Sequence, residues 1–156
     1  MEVDRRPNFS PRGCYILIIE LDDPLTIQVG RLGSLFFDSG YYAYVGSALG
    51  GLRARLGRHQ RSEKRLFWHI DYLLQVATPR PIIWAETTGR IACNSGRFLS
   101  ERLVCITGFG SSDCSCKSHL FCALLETDLI RSARRSIQTR GLIPRGFTLA
   151  LKKSLT

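Results

Sequence analysis

Two side chains capable of chemistry, Arg55 and His59, stand one helical turn apart on a stripe that would otherwise face a core. Leu52, Arg55, Leu56 and His59 follow the i, i+3, i+4, i+7 spacing of one helix face, so a guanidinium and an imidazole share that face with two leucines. A guanidinium at the edge of a core needs an anionic partner, because burying it unpaired costs roughly several kcal/mol. A phosphate would satisfy it, since phosphate oxygens match the rigid fork of guanidinium donors. The competing reading puts Arg55 and His59 on a solvated rim, where the arginines only keep the helix soluble.

The residues just upstream prepare this helix. Tyr41 to Val45 reads as a strand in which Tyr42 and Tyr44 point to one face and Tyr41, Ala43 and Val45 to the other. Gly46, Gly50 and Gly51 then permit a sharp turn and a close backbone approach. The run Tyr44-Val45-Gly46-Ser47-Ala48, followed by Leu52, Arg55 and His59, resembles the second half of the GIY-YIG nuclease signature, and Gly13-Cys14-Tyr15 resembles the first half. Phe67-Trp68-His69-Ile70-Asp71-Tyr72-Leu73 and Gly108-Phe109-Gly110-Ser111-Ser112-Asp113-Cys114-Ser115-Cys116-Lys117-Ser118-His119-Leu120 are similar to the Uri-type branch of small stand-alone proteins in that superfamily. The resemblance covers roughly residues 13 to 125.

This resemblance implies an α+β fold, with one small, mostly antiparallel central sheet flanked by helices. It also implies a DNA endonuclease that hydrolyses phosphodiester bonds. Tyr15, Tyr44, Arg55, His59 and His69 are the catalytic candidates: Arg55 for charge gathering on the phosphoryl oxygens, Tyr15 and Tyr44 for the attacking water or the phosphate, His59 for a proton near neutral pH, and His69 for a second proton or a phosphate. Ser47, Arg53, Arg58, Arg61, Lys117, Ser118 and His119 are the candidates for contacting the nucleic acid, single-stranded or duplex DNA. The family adds one divalent ion, Mg2+ or Mn2+, carried by a glutamate on a later helix. Uri-type proteins place a Glu-Cys pair at the opening of that helix, and this chain has Ala92-Cys93. The expected metal position is therefore Ala92, and neither Glu86 nor Glu101 is well placed to replace it. A non-catalytic nucleic-acid-binding module is the rival reading.

The elements that must carry these residues fit one domain. The chain has 156 residues and 44% hydrophobic content, enough for a real core. Its net charge of +9 favours polyanionic partners, nucleic acid before anionic membrane. No membrane or protein partner is expected. No apolar run approaches about 18 residues and Met1 to Arg12 lacks the centre of a secretion signal, so a cytoplasmic location is expected. Residues 1–12 read as a flexible lead-in, 13–130 as the domain and 131–156, which holds no acidic residue, as a basic extension.

Cys14 to Glu20 is apolar on both faces and reads as a central strand. Thr26 to Val29 and Leu35 to Phe37 make an extra hairpin between the tyrosine motifs. Leu66 to Val76 reads as a helix ended by Pro79 and Pro81, Ile82 to Thr87 as a strand, Ile91 to Leu103 as a helix, and Ser118 to about Ile130 as another, capped by Ser118. Cys14, Cys93, Cys105 and Cys122 fit core packing. Cys114, Cys116 and His119 offer three soft ligands, but a structural zinc usually takes four. No second pair is visible, which favours a structural turn over a zinc-stabilised adaptor.

Overall fold

A computed structural model of the chain describes residues 11–61 and 63–148. Residues 1–10 of the expected lead-in 1–12 and the end of the basic extension, 149–156, lie outside the described residues, while the Pro11 and Arg12 carbonyls accept hydrogen bonds from the Leu52 and Thr87 N–H groups at 2.9 Å. The fold is the expected α+β arrangement, centred on β1 (Gly13–Leu21). Its neighbours are β4 (Gly40–Ala48) on one side and β5 (Thr78–Glu86) on the other, both antiparallel. Being covered on both faces explains the unbroken apolar run of β1. Tyr15, Leu17, Ile19 and Leu21 enter one core layer while Cys14, Ile16 and Ile18 enter the other.

The remaining strands complete a six-stranded sheet. β6 (Val104–Cys105), β7 (Leu120–Ala123) and β8 (Arg145–Thr148) give the order β6-β7-β4-β1-β5-β8, and every pairing is antiparallel. β2 (Leu25–Gln28) and β3 (Ser34–Phe37) form the expected separate hairpin between the two tyrosine strands. One face of the large sheet is covered by that hairpin with α1 (Leu52–Gln60) and α2 (His69–Leu74). The other is covered by α3 (Ala92–Ser100) and α4 (Glu126–Gln138), the latter through Leu129, Ala133 and Ile137. Among the described residues no helix is long and apolar enough to cross a membrane.

Three segments depart from the sequence reading. The helix expected over 118–130 is instead the strand β7, paired with Tyr41–Tyr44 of β4, followed by α4. Ser118 caps no helix; its hydroxyl donates to the Leu120 carbonyl at 3.0 Å and accepts the Leu120 N–H at 2.9 Å. Pro79 and Pro81 lie inside β5 rather than ahead of it, because the strand bulges there: Leu17 pairs with Ile82 but Ile19 with Pro79. An irregular register spares the hydrogen bonds that proline cannot donate. The helix expected over 66–76 starts only at His69, since the Phe67 and Trp68 N–H groups both donate at 2.9 Å to the Asp71 carboxylate. The boundary expected at 130 falls within α4, and β8 joins the main sheet, so the domain runs on to at least residue 148.

The sheet depends on two glycines that admit close neighbours. A side chain at Gly13 would run into the Ala85 carbonyl of β5, and one at Gly46 would occupy the space of the Tyr15 ring. Gly57, in α1, has open space around its missing Cβ. Gly13→Ala is therefore expected to lower stability by about 1–3 kcal/mol, whereas Gly57→Ala should raise it by about 0.5–1 kcal/mol. Urea unfolding of the two variants beside the parent checks this contrast; equal effects would contradict the packing described.

Candidate functional site

A groove of about 740 Å3 opens at the end of β4, where α1, the start of α2, the start of α3 and the 108–117 loop converge. Tyr44, Arg55 and His69 line it, together with Ser47 and Ala92. Tyr15 and His59 do not. They are buried behind the groove at 1% and 2% exposure, with Tyr15 Oη and His59 Nε2 2.5 Å apart. Five expected catalytic residues are thus brought together in two tiers. Tyr44 joins them, its ring centroid 6.5 Å from that of Tyr15 and 6.2 Å from that of His59.

Burial sets the protonation of the inner tier and of Tyr44, which reaches from it to the groove. It pushes the Tyr44 phenol up to about 12, against the pull of Arg55, and raises Tyr15 well beyond its usual value. Both remain neutral phenols near neutral pH. Burial first, then Lys64, pulls His59 from 6.5 down to about 3, so its ring is neutral. Among the described residues its Nδ1 has no hydrogen-bond partner. The pair can share or pass a proton, but it carries no charge at rest.

The outer tier is organised for donation. Gly110 N–H donates to His69 Nδ1 at 2.8 Å, which leaves the His69 proton on Nε2, 3.5 Å from Ser112 Oγ. Gly110 can make this contact because it adopts a φ of 71°, and a Cβ there would lie 3.1 Å from the Tyr44 ring. Arg55 lies over Trp68, 4.3 Å from the ring centroid, and no ion pair holds it among the described residues. Arg58 stacks on Trp68 as well, at 4.4 Å, but its two terminal nitrogens bind the Asp71 carboxylate at 2.6 and 2.8 Å. Burial would raise Asp71, yet Arg58 and the Phe67 and Trp68 N–H groups outweigh it and hold the carboxyl below its usual range. Arg58, expected to contact nucleic acid, is thereby committed to the fold.

The other expected contacts divide by exposure. Arg53, Arg61 and Lys117 are exposed, while Ser118 and His119 are buried. Ala92 lines the groove at the first position of α3, where the resemblance expects glutamate. Its methyl group offers no oxygen, so the donor set does not fit a magnesium or manganese ion at that position. Glu86 and Glu101 are exposed and lie outside the groove, whose lining among the described residues includes one carboxylate, Asp113. Sequence reading missed Asp113 as a groove residue and Asp71 as a buried anchor. Phe67, which the sequence puts inside a helix over 66–76, lies ahead of α2 with its ring 73% exposed at the groove.

Cys93 is the further residue missed, since the sequence favours it as core. Its half-buried thiol instead meets Cys114, Cys116 and His119 with all four ligand atoms within 4.8 Å of one another, and Cys93, Cys114 and His119 are part of the groove's lining. Burial, then the neighbouring Cys93 and Cys114 thiols, pushes Cys116 up to about 12.

Comparison with known proteins gives one family. Residues 14–142 match the family described as Domain of unknown function DUF123. The chain belongs to this family. The match spans β1 to the end of α4, so it includes the whole groove and the Cys-His cluster. No curated protein and no solved structure matches the chain.

The buried neutral imidazole makes a pH prediction. An unfolded chain protonates His59 near 6.5 and the folded chain near 3, so between these values the unfolded state binds more protons. Stability from this source is complete above about 6.5 and declines as pH falls toward 3. Asp71, with its depressed carboxyl, adds a loss at the acid end. His59→Gln is expected to flatten the upper part of that decline, read from urea midpoints between pH 7 and pH 4; an unchanged slope would remove His59 as its cause.

Proposed function

We propose that the groove binds a phosphodiester of DNA, and that the chain is an endonuclease scaffold of the GIY-YIG type whose hydrolysis is held back by alanine at position 92. The observation that carries this reading is the convergence of Arg55, Tyr44 and His69 on one groove, with Arg55 lacking a carboxylate partner among the described residues. Such a guanidinium, facing an open groove with no carboxylate of its own, is available to bind an anion. Arg55 would grip the phosphoryl oxygens, the Nε2–H of His69 would donate to one of them, and the Tyr44 hydroxyl would orient the attacking water or the phosphate. Tyr15 and His59 act from behind as a positioning pair that fixes the Tyr44 ring.

Exposed Phe67 adds an aromatic face at the groove, suited to stacking an unpaired base. The net charge of +9 supports a polyanionic ligand, and six free cysteines suit a reducing compartment, the cytoplasm. Alanine at 92 equally favours the second reading, a binding module that never cuts. A glutamate there would stand at the groove and could hold the Mg2+ or Mn2+ that neutralises charge during hydrolysis.

The test compares the chain with Ala92→Glu on single-stranded and duplex DNA, with magnesium and then manganese. Cleavage by Ala92→Glu alone is the expected result. Binding by both without cleavage by either would favour the binding module, and no binding by either at low salt would remove the reading altogether. If the parent itself cuts and Asp113→Asn does not, Asp113 holds the ion. In the Ala92→Glu background, Arg55→Ala should slow cleavage by about 10²–10³-fold while weakening binding much less. Equal losses would leave Arg55 as a phosphate anchor only. DNA affinity should fall steeply with added salt; a flat response would exclude phosphate contacts.

A further inference from the structure

We propose that Cys93, Cys114, Cys116 and His119 form a structural zinc site that clamps the 108–119 loop to the first turn of α3. The site is independent of whether the groove cuts or binds nucleic acid.

Geometry carries the inference. With Zn–S near 2.3 Å and Zn–N near 2.0–2.1 Å, a tetrahedral centre separates its ligand atoms by roughly 3.5–3.8 Å. Cys114 Sγ lies 3.5 Å and Cys93 Sγ 3.9 Å from His119 Nε2, and no pair in the cluster exceeds 4.8 Å. Four side chains from a helix start and a distant loop therefore already surround one point at nearly the required spacing.

The imidazole is also prepared for a metal. His119 Nδ1 lies 3.1 Å from the Val45 carbonyl, which can only accept, so the ring proton sits on Nδ1 and the Nε2 lone pair faces the sulfurs. Metal-bound histidines are oriented in this way by an acceptor on the other nitrogen. The backbone supports the same placement, because Val45 N–H donates to the His119 carbonyl at 2.9 Å and His119 N–H to the Phe109 carbonyl at 2.8 Å.

The ligand set identifies the metal class. Three sulfurs and one nitrogen are soft donors that suit zinc and disfavour magnesium or calcium. Four protein ligands close a tetrahedron, leaving no position for water, which makes the site structural. Binding converts three thiols to thiolates: Zn2+ enters, three protons leave to solvent, and the zinc–protein unit gains one net negative charge. The loop so held carries Gly110, Ser112 and Asp113, which line the groove along with Arg55.

The experiment is metal analysis of the full chain purified under reducing conditions, followed by cobalt substitution. About one zinc per chain is expected, and the cobalt form should show the visible bands of a tetrahedral site with sulfur-to-cobalt charge transfer. Cys93→Ser should lose stoichiometric zinc and weaken the charge-transfer band by about a third, whereas Cys105→Ser, outside the cluster, should keep both. Because a variant can fail to fold, the parent is also stripped with a chelator: a lowered Tm restored by zinc alone supports the site. A reduced, metal-free chain that takes up no zinc, or Cys93→Ser retaining one zinc per chain with an unchanged cobalt spectrum, would overturn it.

Discussion

A buried carboxylate holds the groove together. Asp71 is fully buried, yet it accepts two hydrogen bonds from Arg58 and one each from the N–H groups of Phe67 and Trp68. An ionised group so far from water is tolerable only when its oxygens are satisfied by charged and backbone donors. The bonds to Phe67 and Trp68 keep the chain extended into α2, and the bonds to Arg58 tie α1 to it. Trp68 is thereby placed under the guanidiniums of both Arg55 and Arg58. One arginine is committed to structure, and its neighbour one turn earlier, Arg55, faces the groove with no carboxylate partner among the described residues.

The site has depth as well as a face. Gly46 lets the Tyr15 ring lie against β4, which brings the Tyr15–His59 pair directly behind Tyr44. Dry surroundings hold this inner pair neutral, so charge is concentrated in the outer tier, where Arg55 stands. A binding site for an anion gains from that division, since an uncharged interior does not compete with the ligand for the guanidinium.

Two adjacent residues at the start of α3 separate hard from soft donor chemistry. Ala92 presents a methyl group to the groove, while Cys93 presents sulfur to Cys114 and Cys116. Successive residues on a helix point about 100° apart, so one turn can set a methyl group and a thiol at different places in the same groove wall. Oxygen-preferring ions find little at position 92, and a sulfur-preferring ion finds a nearly formed cage one residue on.

Local pattern alone determined much of this protein. Alternation in Tyr41–Val45 assigned the two faces of β4, the unbroken apolar run assigned β1 to the centre, and the helical spacing of Leu52, Arg55, Leu56 and His59 described α1 and its stripe. Each of these is a contact within one element, which periodicity encodes directly. What required the tertiary structure was partnership across long stretches of chain. Leu120–Ala123 is a strand because β4 offers it a free edge, and Pro79 and Pro81 are tolerated because β5 bulges beside β1. Asp71 is a buried anchor only because Arg58 closes on it, and Cys93, which fits core packing by sequence, meets Cys114 only because a loop 21 residues later comes within reach. No local period records such pairings, because burial and ligand geometry are decided only when distant segments meet.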